Sequence, residues 1–167
     1  MLETIFGILI TYWPFWVGLA VMGAFFLLLR MYSAPAPMPY FKRPSLVTKN
    51  ELRFYKSLHK AVLDDFEIFA MVRIADLIRV EKGSKNGRAW LNKILAKHID
   101  FVLCDPKSLE PIVCIELDDA SHERSDRIER DIFVNDAFDA ADLPLLRIPV
   151  EPAYNAREVR ELIESVI

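Results

Sequence analysis

The sequence predicts an α/β domain, a mixed sheet flanked by helices, carried behind one N-terminal transmembrane helix. Three observations lead there. Residues 5 to 29 carry no formal charge and no polar face. A proline-rich stretch follows them. Beyond it, apolar runs of strand length alternate with amphipathic stretches of helical period.

The first segment reads IFGILITYWPFWVGLAVMGAFFLLL. As a helix it is roughly 37 Å long, enough to cross a hydrocarbon core of about 30 Å with some tilt. A soluble surface helix would keep a polar face, and this segment has none. Pro14 is tolerable near the outer end, where neighbouring groups satisfy the freed carbonyl. Tyr12, Trp13 and Trp16 suit an interface, which would shift the span a few residues late. A cleaved signal peptide would need a basic start, but the chain begins Met-Leu-Glu-Thr. Ala34-Pro35-Ala36 only loosely resembles a cleavage site. Arg30, Lys42, Arg43, Lys49 and Arg53 follow the span and no cation precedes it. The positive-inside rule then gives a single-pass protein of the inner (plasma) membrane, anchored in the bilayer through residues 5–29, its C-terminal domain cytoplasmic. Cys104 and Cys114 are expected there as thiols, and with the three histidines they form no zinc-finger pattern.

Charge excludes a generally basic nucleic-acid binder. The 167 residues hold 21 Lys and Arg against 24 Asp and Glu. Removing residues 1–30 takes away one base, Arg30, and one acid, Glu3, so the remainder keeps a net charge of −3. Phosphate binding would have to rest on a local patch or on metal ions.

The expected organisation is a transmembrane helix over 1–30, a linker over 31–45 and a folded domain over 46–167. Four prolines make the linker a stiff, extended spacer. Thr48 and Glu51 have capping-box spacing and open a helix over about 48–64, with Glu51, Tyr55, Leu58 and Val62 on one stripe. Residues 68–74 (IFAMVRI) read as a strand. A short helical turn at 75–80 leads into an exposed loop, EKGSKNGR, over 81–88. Trp90, Leu91, Ile94 and Leu95 repeat at helical spacing. Two apolar runs, 99–104 and 112–117, form a β-hairpin. A helix follows over 123–142 with Ile128, Ile132, Val134, Phe138 and Ala141 as its apolar face. A strand over 143–150 and a helix over 157–166 complete a mixed sheet flanked by helices.

The hairpin carries the chemistry. With its turn centred on Ser108, Asp100 lies opposite Glu116, and Asp118 shares that face, opposite His98. Carboxylates so close repel unless a cation or proton comes between them. Hard oxygen donors at that spacing suit Mg²⁺ or Mn²⁺. A slip of one residue would place the acids on opposite faces. The plainer alternative leaves them at strand ends in water. Glu51 is then only the capping-box acid, and His122 caps the next helix or bonds within a loop.

The run HIDFVLCD, then PIVCIELDDASH, RIERD and LPLLRIPV resembles the bacterial family catalogued as domain of unknown function 2726. That family is similar in turn to the PD-(D/E)xK, or restriction-endonuclease-like, superfamily near the very-short-patch repair endonucleases. The likeness covers about residues 46–150. It implies a restriction-endonuclease-like sheet with Asp100 and Glu116 as metal ligands and Glu51 as the acid on the first helix. His122 matches the histidine after the E-x-D segment, and Asp131 and Arg147 match later helix and strand positions. Asp118 stands where much of the superfamily has Lys. A third carboxylate there would be a further metal ligand, leaving His122 or a metal-bound water to act as base.

Two functions follow as expectations. One is a membrane-anchored, metal-dependent nuclease that hydrolyses phosphodiester bonds through Asp100, Glu116, Asp118, His122 and Glu51, with Mg²⁺ or Mn²⁺ held by Asp100, Glu116 and Asp118. The other is an inactive module of the same fold that binds nucleic acid or protein at the membrane, which the absent Lys and the net acidity favour.

Overall fold

The computed structural model describes residues 2–33, 36–118 and 125–167. The chain divides into two compact units, residues 1–42 and 43–167.

In the first unit, α1 (Leu2–Thr11) and α2 (Trp13–Tyr32) meet at Tyr12. Pro14 sits in the first turn of α2. It has no N–H to give to a carbonyl four residues back, so a continuous helix would break here and a new one starts cleanly. The stretch long and apolar enough to cross a membrane is therefore Trp13–Tyr32 rather than 5–29. It lies later than the uncharged run because the proline sets its start. Residues 36–42 form neither helix nor strand.

The second unit begins with α3 (Lys49–Val62), held at its start by the capping box. The backbone N–H of Glu51 reaches Thr48 Oγ1 at 3.3 Å, and the N–H of Thr48 reaches Glu51 Oε2 at 3.0 Å. Then come β1 (Glu67–Arg73), the single turn α4 (Ile74–Leu77), α5 (Gly87–Leu95), β2 (His98–Cys104) and β3 (Pro111–Asp118). Last are α6 (Ser125–Ala140), β4 (Leu145–Pro149) and α7 (Ala156–Glu164). The sheet runs β1-β2-β3-β4 in space. The first two pairings are antiparallel, and β4 joins β3 in parallel after the α6 crossover.

Both faces of the sheet are covered. Phe54, Leu58 and Val62 of α3 and Val159 and Ile163 of α7 pack on Phe101, Leu103, Val113 and Ile115. On the other face Ile74, Ile78, Ile94, Val134 and Phe138 pack on Val102 and Cys114. Two covered faces explain why the strands read as almost unbroken apolar runs. Cys104 and Cys114 are buried free thiols in the second layer.

The apolar face of α6 differs from the expected one. Ile132 is 56% exposed and Ala141 is also exposed, whereas Val134 and Phe138 are buried. A residue two positions from another lies about 200° around a helix, so Ile132 and Val134 cannot share a face. Phe133 and Ala137, half-buried, complete the stripe instead. His98 opens β2, and His59 is exposed.

Candidate active site

The hairpin register decides which acids meet. Phe101 pairs with Ile115, Val102 with Cys114 and Leu103 with Val113. This is the register expected from a turn centred on Ser108. It slips only past Leu103, where Cys104 pairs with Pro111. The last pair of that ladder is Phe101 with Ile115, and Asp100 and Glu116 are the residues next to it on the two strands. Cys114 faces the layer containing α6, so by alternation Glu116 faces it too. Accordingly, Arg130 of α6 places Nη2 4.0 Å from Glu116 Oε1.

Asp100 sits at an irregularity that nothing in the composition announces. Pairing of β1 with β2 passes from Ala70↔Phe101 to Val72↔Ile99. Between them Met71 has φ +57°, rare for a residue with a side chain. Residues two apart on a regular strand share a face, yet Ile99 packs in one layer and Phe101 in the other. The same is true of Val72 and Ala70. The strand pair therefore turns over at Met71 and Asp100, as a bulge does when it re-aims a side chain. The Asp100 carboxylate then accepts the N–H of Leu117 on the neighbouring strand at 2.8 Å.

Burial pushes the Asp100 carboxyl above its ordinary range. The Leu117 N–H pulls the other way, and the nearby charges of Glu51 and Asp118 push it further up. Glu116 is also raised, first by burial. Arg147 and Arg130 oppose the rise, and Asp100 and Asp118 add to it. The Glu116 side chain is only 16% exposed. The two acids are thus desolvated and mutually repelling, the condition in which a cation is most welcome.

Arg147 organises the remaining polar groups. Its backbone pairs with Glu116 across the parallel strands. Nη1 donates to Asp118 Oδ1 at 2.8 Å, and Nε donates to Asn135 Oδ1 at 3.0 Å. Nη2 lies 3.8 Å from Asp131 Oδ1 and, among the described residues, is a buried donor without a hydrogen-bond partner. Asn135 and the reach of Arg130 to Glu116 are not evident from the sequence. The available signal was the spacing of Asp131 and Asn135, one helical turn apart on α6 and able to meet one partner together.

The expected site residues are therefore only partly assembled. Asp100, Glu116 and Asp118 share one neighbourhood, with Asp118 engaged by Arg147 and its side chain 48% exposed. Glu51 lies near enough for Asp100 to feel its charge, while one of its oxygens closes the capping box. His122 lies outside the described residues. A small cleft of about 120 Å³ opens on Glu116, walled by Ile74, Lys97, His98, Arg130 and Val134. Lys82, Lys85 and Arg88 are exposed around the loop before α5.

A family model described as "Protein of unknown function (DUF2726)" matches residues 43–166. The chain belongs to the DUF2726 family. No curated protein and no solved structure gives a significant match. The matched region coincides with the second unit and includes every residue of the site.

Metal binding by this DUF2726 domain can be judged from its donors. Among the described residues no group of three or more His, Cys, Asp or Glu side chains is placed to hold a metal ion. Two hard carboxylates, Asp100 and Glu116, are what the site offers. Mg²⁺ commonly uses one or two carboxylates and completes its shell with water and substrate phosphate, so this donor set fits such an ion better than a fully caged one.

Proposed function

We propose that this DUF2726 protein is a membrane-tethered, metal-dependent nuclease-like hydrolase of phosphodiester bonds, built on a restriction-endonuclease-like sheet. Residues 43–167 would lie on the cytoplasmic side of the inner (plasma) membrane, as the cations after the span favour. One observation carries the chemical reading. Asp100 and Glu116 flank the Phe101–Ile115 pair on adjacent strands, both desolvated and close enough for Glu116 to feel the charge of Asp100.

Asp100 and Glu116 would hold Mg²⁺ or Mn²⁺, which when bound supplies Lewis-acid stabilisation of phosphate charge and a water of lowered pKa. The protein's own groups do the positioning. Arg130, with its side chain half exposed beside Glu116, can offer a planar pair of donors to a phosphate. Arg147 places a guanidinium against Asp118, so a cation arrives from β4 where much of the restriction-endonuclease-like superfamily has Lys on β3. His122 and Glu51 remain the proposed base and auxiliary acid.

A second reading, the inactive module, is favoured by the commitment of Asp118 to Arg147, which leaves two carboxylates where three were expected. The two readings separate in one set of measurements on the full chain in detergent. Calorimetry should show Mn²⁺ and Mg²⁺ binding that disappears in the Asp100→Asn/Glu116→Gln double variant. Asp100→Asn alone should abolish cleavage of labelled oligonucleotides without lowering the melting temperature. Undiminished cleavage by Asp100→Asn would sink the site. Metal-independent, salt-sensitive binding without cleavage would select the module.

A further inference from the structure

The segment 79–97 concentrates an excess of positive charge in a domain otherwise richer in acids. It holds Arg79, Lys82, Lys85, Arg88, Lys93 and Lys97 against one acid, Glu81, in a chain of net charge −3. Its helix, α5, also leaves large apolar groups uncovered. Trp90 is 46% exposed, and a groove of about 580 Å³ runs between α5 and α6 beside it.

The groove has an aromatic floor. The rings of Trp90 and Phe133 are nearly parallel, 10° apart in tilt with centroids separated by 6.4 Å. Lys93 Nζ lies over both, 4.6 Å from the Trp90 centroid and 5.0 Å from that of Phe133. Lys97 Nζ lies 5.5 Å from the Phe133 centroid, and Lys97 also walls the cleft that opens on Glu116. One side chain thus joins the aromatic floor to the candidate active site.

We infer that the groove between α5 and α6 seats a single strand of nucleic acid, with bases against Trp90 and Phe133 and phosphates on Lys93 and Lys97. This names the substrate class of the proposed site and rests on that reading for the bond that is cut. Aromatic faces with flanking cations are the general means of holding unpaired bases, because every base has a π-face and every linkage a charge. The lysines now over the rings can swing to phosphate as a base takes their place, keeping their charge paired. Paired bases in a duplex are stacked away from such a floor. The groove also carries Glu129 and Asp136 on its α6 wall, which opposes the denser charge of a second strand.

The test is fluorescence anisotropy with the full chain in detergent, using a labelled oligothymidine and a mixed-sequence duplex of equal length across a salt series. The single strand should bind about tenfold more tightly than the duplex. Trp90→Ala should weaken it about tenfold, and Trp90→Phe should restore most of the loss. Lys93→Ala/Lys97→Ala should flatten the salt dependence by a slope of roughly 1.4. Preference for duplex overturns the inference, as does unchanged binding by a normally melting Trp90→Ala protein. If that variant melts early, the lysine pair decides alone. Strand binding sensitive to these residues without any cleavage removes the hydrolytic reading and keeps the groove. Cleavage indifferent to them does the reverse, and no binding of either probe removes both.

Discussion

At Glu116 a negative charge is held in a place that burial and two neighbouring acids make unfavourable. The sign of its effect on stability follows. Its folded pKa is raised, so the folded state binds a proton more readily than the unfolded chain. The favourable contribution is fully present below the ordinary carboxylate value and is lost as pH rises through the raised folded value. Glu116→Gln should therefore raise the melting temperature at neutral pH in the absence of metal. The gain should shrink as pH falls through the window above 4.5, the ordinary glutamate value. A gain that grows on acidification would contradict the desolvated site. Asp100 follows the same sign, but its carboxylate also accepts the Leu117 N–H. Asn can keep that bond through its amide oxygen and Ala cannot. Denaturant titration should find Asp100→Ala less stable than Asp100→Asn by about 1–3 kcal/mol, the cost of a buried donor left without a partner.

The elements differ in how openly the sequence declares them, and the differences have physical causes. The start of α3 was legible because capping is local: Thr48 and Glu51 satisfy each other's backbone with no help from the rest of the fold. Thr48→Ala should accordingly cost about 1 kcal/mol in denaturant titration and leave the metal titration proposed for Asp100 and Glu116 unchanged. The hairpin register was legible over Phe101–Leu103 because a short connection at 105–110 leaves few pairings for two apolar runs. The turnover at Met71 was not legible. Methionine has no preference for positive φ, and the conformation is imposed by the two sheet faces that Ile99 and Phe101 must reach. Nor was the face of α6, where apolar residues at 132, 133 and 134 point in different directions and only the facing layer selects among them. The acids of the site could be named in advance because acids stand out in apolar strands. Their arginine and asparagine partners could not, since α6 and β4 meet them only in three dimensions.

For the whole molecule, the charges flanking the apolar helix predict which side of a bilayer the DUF2726 unit would occupy. The Trp13–Tyr32 helix is long and apolar enough to cross, and none of its residues is buried by protein. Its last turn carries Arg30, and Lys42, Arg43, Lys49 and Arg53 follow, all exposed, whereas the sequence before it holds only the acid Glu3. Moving such a cluster of cations across an energised membrane is opposed both by their desolvation and by the potential. Two outcomes are expected in bacterial cells. The full chain should stay in the membrane fraction through alkaline carbonate washing, and deletion of residues 1–32 should release it. Alkaline phosphatase fused after Ile167 should be inactive, and a fluorescent protein fused at the same point should be bright, because the first matures outside the cytoplasm and the second inside. The reverse pattern would put Asp100 and Glu116 on the outer side, away from cytoplasmic nucleic acid. It would also expose the buried thiols of Cys104 and Cys114 to an oxidising compartment during folding. A domain so placed would need a substrate that arrives from outside the cell, so the reporter result fixes which nucleic acid could reach the groove at all.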